Sequence, residues 1–526
     1  MIRANAPKYW GTLGRYMLIR NRVLVLGSSV SLAGALLASC GGGGGGTTPP
    51  VQATATLTST SSSLPCLTGS SVRRSVDGAR SKATASLNGQ VNPNRLYVTY
   101  RASAAGRATE SIDRSISAAR VVDFGVEGSS GHRLISLSSA MDAKTATAAL
   151  RQNPDVMDVA PTHFRAISAT NFSTCDVVND PLSDTTDQWY LYVTNTTPGG
   201  WRASTGSPSI AVAVIDTGVD ESKNDTLDFA IDFQESVVNT ETPPQSTAAG
   251  AAQDTNGHGT NVSGLAVALA NNGFGFAGVG YSTHLQIYRI FPQTTALSDQ
   301  QTADTGDEAQ AIRDAVAHGA AVINLSVGSP NSSGADLAEQ HAVDFAIAAN
   351  VIVVAANGNE FLPTTSDSNL SNFPAAYPSV IRVGASAVID DNTTPGNLSS
   401  IAAETAASYS NSSATLLAPG GDSSGQTDND LLHWIQGYST TTANFVADQC
   451  SNTGGICRVL FNGTSQATPQ VSGAVALILA THGGTHALTP ARVQSILTST
   501  TDVLPGILAT RQGAGRLNVG RAVVAP

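Results

Sequence analysis

Lysine is almost missing from this chain of 526 residues; Lys8, Lys82, Lys144 and Lys223 are the only ones. Charged residues make up 13 % of the sequence, about half the ~25 % usual in globular proteins, so solubility rests on Ser, Thr, Asn, Gln and Gly. The net charge of -11, with no Lys/Arg cluster beyond the N-terminal leader, argues against nucleic acid as a partner, because phosphate binding needs clustered cations. Cysteine spacing nowhere suits a zinc site. Apart from Val23 to Ala38, no apolar run approaches membrane-spanning length.

The leader carries Arg15, Arg20 and Arg22 ahead of that run, which ends in Leu37-Ala38-Ser39-Cys40. A basic region, a short apolar region and small residues describe an export signal. The run is about 16 residues, short of the ~20 of a spanning helix. The terminal cysteine makes the segment resemble a bacterial lipoprotein signal, which implies cleavage before Cys40 and acylation of its sulfur. Met17 would start a signal of more usual length. Residues 41–90 open on six consecutive glycines and continue in Thr, Pro and Ser, a low-complexity tether with a reach of roughly 40 Å as a random coil. Four cysteines follow Cys40; an even number in an exported chain suggests disulfides. Cys450 and Cys457 close a short Asn/Gly-rich loop and form the favoured pair, which leaves Cys66 with Cys175.

At 526 residues with 41 % hydrophobic content, two or more folded units are expected. Residues 91–166 alternate patterns in a small α+β order: strand RLYVTYR, helix ATESIDRSISAAR, strand HRLISLSS, helix DAKTATAALRQNPDV, strand MDVAPTHFR. Over 179–526, β-branched strands IAVAVID, AAVINLSVG, NVIVVAANGN and PSVIRVGAS alternate with helices such as DEAQAIRDAVAHGA and DLAEQHAVDFAIAAN. That alternation predicts an α/β fold, a parallel sheet with helices on both faces, and sites just beyond the strands' carboxyl ends.

Three polar residues sit where such sites form. Asp216 directly follows an apolar strand in AVAVIDTGVD, although strand-end Asp is commonly a turn cap. His258, in DTNGHGT, stands between glycines that let the backbone approach while the imidazole stays free; a lone turn His is more often solvated and idle. Ser465, in FNGTSQATP, leads into a helix that is apolar nearly all round, with Pro469 in its first turn. There it is either an N-cap or a nucleophile placed where free N–H groups favour negative charge.

Together, in the order Asp, His, Ser, these motifs resemble the subtilisin-like serine proteases over most of residues 179–526. The resemblance rests on AVAVIDTGVD, NGHGTNVSG and NGTSQATPQVSGAVAL, supported by INLSVG, AANGNE, FPAAYPSVIRVGA, LLAPG and GAGRLNVGRAV. It implies that Ser465 attacks a peptide carbonyl, His258 moves the proton, and Asp216 orients the imidazole. It also implies an oxyanion donor on Asn359, chosen over neighbouring Asn357 by the family's Gly-Asn order. Ser326, Val327 and Gly328 would receive an extended peptide, and Asn372 would lie near the floor of the specificity pocket. No acidic residue is evident there, which argues against a strict Arg/Lys preference. No cofactor is required for the chemistry. Structural calcium would involve Asp180, Asp225 and Asn272; the alternative is that the two aspartates are surface turn residues.

The resemblance gives 91–166 a role as a propeptide that assists folding and blocks the cleft, with cleavage between about Thr162 and Asn179. A Cys66–Cys175 disulfide would keep it attached after the cut. The expected protein is an exported, surface-tethered serine endopeptidase of the bacterial envelope, or one released from it. Its partners would be polypeptide substrates, its own propeptide, and the membrane only through a lipid. A silent peptide-binding lipoprotein is the alternative, and the intact Asp216, His258, Ser465 and Asn359 count against it. Three positions depart from the family pattern: Asn261 and Gln470 where histidines are usual, and Gln466 where Met is usual.

Overall fold

The computed structural model describes residues 91–104, 116, 118–127, 129–138, 141–167, 169–174, 188–220, 228–272, 275–293, 302–330, 334–361, 371–390, 398, 401–422, 431–440 and 458–526. Cys40, Cys66, Cys175, Cys450, Cys457, Asp180 and Asp225 lie outside the described residues.

The N-terminal unit contains strands β1 (Val91–Arg101), β2 (Ala118–Glu127), β3 (Ser130–Leu137) and β4 (Val156–Ile167), with helix α1 (Ala143–Leu150). The strands pair antiparallel in the order β2-β3-β1-β4. Leu96, Val98 and Tyr100 of β1 meet Ile135, Ala146, Leu150 and Val159 in a separate small core. The Asp142 side chain caps α1 by accepting the Thr145 N–H at 2.7 Å. One expectation fails here. Ala118–Arg120, read as the end of a helix, begin β2 instead. Pairing with β3 satisfies their backbone groups, a tertiary gain that local helical periodicity does not register.

The larger sheet contains β6 (Ala211–Asp216), β7 (Ile231–Val237), β8 (Gln245–Ser246), β9 (His284–Arg289), β11 (Val322–Leu325), β13 (Ile352–Ala356), β15 (Ile381–Asp390), β16 (Ile401–Ala406) and β17 (Leu416–Pro419). Its order is β16-β15-β13-β11-β6-β9-β7-β8, with β17 also on β15. The pairings are parallel except for β8 on β7 and β16 on β15. Side chains alternate between two cores, as a strand buried on both faces requires. Val212, Val214, Ile352 and Val354 face one core, where they meet helices α2 (His258–Val267) and α5 (Thr464–Thr481). Ala213, Ile215, Val353 and Ala355 face the other, against α3 (Thr305–Ala317) and α4 (Leu337–Ala348).

Six further strands join the two units. β12 (Val327–Pro330) pairs antiparallel with β14 (Asn372–Phe373) and with the end of β4, while β10 (Thr302–Asp304) pairs with β4. β5 (Ala169–Thr174) pairs with β19 (Arg458–Gly463), which also pairs with β18 (Ile435–Tyr438).

Candidate active site

Each of the three motif residues stands at the end of an element. Asp216 closes β6, His258 opens α2, and Ser465 is the second residue of α5. All three are fully buried. Asp216 Oδ1 lies 2.7 Å from His258 Nδ1 and accepts the Thr217 N–H at 2.7 Å. His258 Nε2 is buried with no partner among the described residues, so the imidazole is oriented on one side and unpaired on the other. Gly257 precedes His258 at φ 100°, a conformation that favours glycine. A Cβ on Gly259 would come 2.3 Å from the Gly218 carbonyl, so only hydrogen fits there.

Asp254 belongs to this arrangement, and the motif reading did not single it out. Its Oδ1 accepts the N–H groups of Asn256 and Gly257 at 2.8 and 2.9 Å. Its Oδ2 accepts the Thr260 N–H and hydroxyl at 3.0 and 2.6 Å. This carboxylate ties down the first turn of the helix that carries His258. Burial pushes its carboxyl up from the ordinary range, against the pull of these bonds. The sequence signal was present as an Asp four residues before the histidine.

Helix α5 begins at Thr464, so Pro469 is its sixth residue and not in the first turn as expected. Proline there removes the N–H that would reach the carbonyl of Ser465. The Ser326 hydroxyl fills the gap, donating to Ser465 O at 3.0 Å. In return, the Ser465 hydroxyl donates to Ser326 O at 2.7 Å. These reciprocal bonds fasten the start of α5 to the residue preceding β12.

The two candidate asparagines differ in what their amides do. Asn357 Nδ2 donates to the carbonyls of Asn411 and Ser412 at 2.8 and 3.0 Å. Asn359 instead anchors its oxygen, accepting the Thr464 N–H and hydroxyl at 3.0 and 2.9 Å. Its Nδ2 is buried with no partner among the described residues, while its oxygen holds the residue next to Ser465. Asn372 is buried on β14 and donates to Ala356 O at 3.0 Å. A Cβ on Gly328 would approach its Nδ2 to 2.6 Å, so Gly328 keeps β12 and β14 close.

β12 already carries a strand. Val327 lies opposite Ile167 and Gly328 opposite Ala166, both from β4. On the other flank of Ser465, Gly463 lies opposite Ala169 and Asn462 opposite Asn171.

Of the expected calcium set, Asn272 is the described member. Its Nδ2 donates to Asp228 Oδ1 at 2.5 Å, and the Tyr438 hydroxyl donates to Asp228 Oδ2. Burial pushes the Asp228 carboxyl up to about 7, opposed by these two bonds. A cation beside Asp228 would reverse that shift.

The subtilase family profile matches residues 207–515, more than half of the chain. This chain belongs to the subtilase family. Subtilisin amylosacchariticus from Bacillus subtilis subsp. amylosacchariticus is 32% identical over 318 residues, 60% of this chain and 66% of the relative. The Bacillus pumilus subtilisin is 31% identical over 318 residues, covering 92% of that protein. An extracellular protease of Xanthomonas campestris pv. campestris is 29% identical over 426 residues, 75% of this chain and 64% of the relative. The first of these is thus matched over just under two thirds of its own length. Among solved structures, fervidolysin from Fervidobacterium pennivorans, a keratinolytic enzyme related to subtilisin, superposes with a TM-score of 0.62 at 22% identity. That match covers 84% of this subtilase and 63% of fervidolysin, and it bears on the fold alone.

Proposed function

We propose that this subtilase is a serine endopeptidase that hydrolyses peptide bonds through an acyl-enzyme on Ser465. The observation that carries the reading is a pair of unused buried groups on the motif residues: among the described residues, His258 Nε2 and Asn359 Nδ2 have no partner, and Asn359 is held to Thr464, next to Ser465. For attack, Ser465 Oγ turns from Ser326 O to His258 Nε2 and gives up its proton there. The oxygen adds to the scissile carbonyl, and His258 then protonates the leaving amine. Asp216 holds the ring with Nδ1 as donor and stabilises the imidazolium. Asn359 Nδ2 and the Ser465 N–H, at the start of a helix, receive the negative oxygen. Water deacylates Ser465 with His258 as base. A fluorophosphonate probe should label the matured chain and not Ser465→Ala; absence of label on the unmutated protein would overturn the assignment.

The same reading makes residues 91–166 the propeptide domain. Support comes from the backbone at the end of β4, which pairs with Val327 and Gly328 as an added strand, the mode by which proteases hold extended peptides. Only Ser168 separates Ile167, opposite Val327, from Ala169, opposite Gly463. The cut is therefore proposed on the carboxyl side of Ser168, inside the expected window from Thr162 to Asn179. Amino-terminal sequencing should find a chain starting at Ala169, and Ser465→Ala should stay whole. Asn372 is proposed to border the pocket for the side chain next to the cut.

Export, acylation of Cys40, and disulfides Cys450–Cys457 and Cys66–Cys175 complete the proposal, on sequence grounds alone. Intact-mass measurement with and without reductant tests the disulfides, and loss of lipid mass in Cys40→Ser tests the anchor. Calcium at Asp180, Asp225 and Asn272 is proposed as structural; chelation should lower Tm, and an unchanged Tm would remove it.

A further inference from the structure

The three departures from the family pattern converge in one place. Gln466 follows Ser465 on α5, and Asn261 lies three residues after His258 on α2, one turn along. Gln466 Nε2 donates to Asn261 Oδ1 at 3.2 Å, joining the first turns of the two helices. Asn261 Nδ2 in turn donates to Tyr438 O at 3.2 Å. Gln470 Nε2 donates to Gln466 O at 2.9 Å and to Pro419 O at 2.7 Å. All three side chains are fully buried. Asn261 has no slack, since a Cβ on Gly437 would come 2.7 Å from its Nδ2.

We propose that Gln466 is a positioning residue whose bond to Asn261 sets the register between the helix bearing Ser465 and the helix bearing His258. This rests on the serine endopeptidase reading above. The rest of the α2–α5 contact is made largely by apolar side chains such as Val262, Leu265, Ala467 and Val471, which resist separation but tolerate sliding. A hydrogen bond is directional and short-ranged, so it selects one register. The register matters because Ser465 Oγ must swing from Ser326 O to His258 Nε2 at each turnover, and small errors in reach are costly in rate. Gln470 holds the Gln466 backbone carbonyl to the end of β17, so the bridge starts from a fixed point.

The test is a double-mutant cycle on the matured full chain with a chromogenic peptide, kcat being referred to sites titrated with a fluorophosphonate. Gln466→Met should lower kcat and the rate constant of fluorophosphonate labelling about tenfold, with KM within about twofold. Asn261→His should do the same. The double variant, which removes both ends of the bond, should lose far less than the product of the two single losses. Asn261→Ala cuts the bond from its other end with no added bulk, and serves if Gln466→Met does not mature. Independent, multiplicative losses would overturn the proposal, as would a fall in Tm with kcat unchanged. An unmutated chain that takes no label would instead overturn the endopeptidase reading itself.

Discussion

At the scale of single residues, the site is organised by which polar atoms are used and which are left over. Asn357 and Asn359 stand two apart in one turn, but Asn357 spends its amide on two carbonyls and Asn359 does not. Their substitutions should therefore separate cleanly. Asn359→Ala is expected to lower kcat about 10²–10³-fold with little change in KM, the usual cost of one oxyanion donor. Asn357→Ala should lower Tm by leaving the buried carbonyl of Asn411 and the part-buried one of Ser412 unmet, with a smaller effect on kcat. Steady-state kinetics and thermal melts on the same samples check both; equal kcat losses would mean that Asn359 holds no oxyanion. Ser326 teaches the same lesson. Its value lies in meeting the carbonyl that Pro469 leaves free.

At the scale of elements, strand β7 carries a buried carboxyl with an unusual titration. Glu235 accepts from Gln245 at 2.6 Å, yet burial, with the charge of Asp314 nearby, pushes its carboxyl up to about 7. In the unfolded chain a glutamate titrates near ~4.3. Between these values the folded state holds a proton that the unfolded state has released, so folding stability falls as pH rises through that window. Above about 7 both states are ionised and this contribution is flat. Melts from pH 4.5 to 8 should thus show a fall in Tm that is smaller in Glu235→Gln. A slope unchanged by the substitution would assign the titration elsewhere.

At the scale of the whole molecule, the N-terminal unit is held by a buried polar seam as well as by strand pairing. Arg95 lies 2.6 Å from Asp304 and 2.7 Å from Asp307. Thr162 donates to Asp304 at 2.7 Å, and His163 meets Asp336 at 2.6 Å. Asp304 and Asp336 also cap helices α3 and α4, so the seam joins this unit to the helix ends of the larger one. Burial pushes Asp307 up to about 6 even beside Arg95. Arg95→Ala would leave Asp304 and Asp307 buried without their cation, a change that typically costs 3–5 kcal/mol. If the proposed cut is made, the N-terminal unit should then separate from the larger one far sooner, seen as earlier loss of co-elution on size-exclusion chromatography. Unchanged co-elution would mean that strand pairing alone holds it.

Much of this was legible in the chain itself. Apolar runs alternating with amphipathic segments determined a parallel sheet with helices on both faces, because burial on two faces demands that pattern. Asp216, His258 and Ser465 each follow a run or a glycine turn, which local chemistry alone makes visible. What tertiary structure decided was how polar groups far apart in sequence satisfy one another. The start of β2 depended on β3, and the role of Asp254 on the turn it caps. The unpaired amide of Asn359 among the described residues, the bond between Gln466 and Asn261, and the pairing of Ala166 and Ile167 with β12 and of Ala169 with Gly463 all depend on distant partners. Hydrophobic periodicity is a property of neighbours along the chain, whereas hydrogen-bond satisfaction is a property of neighbours in space.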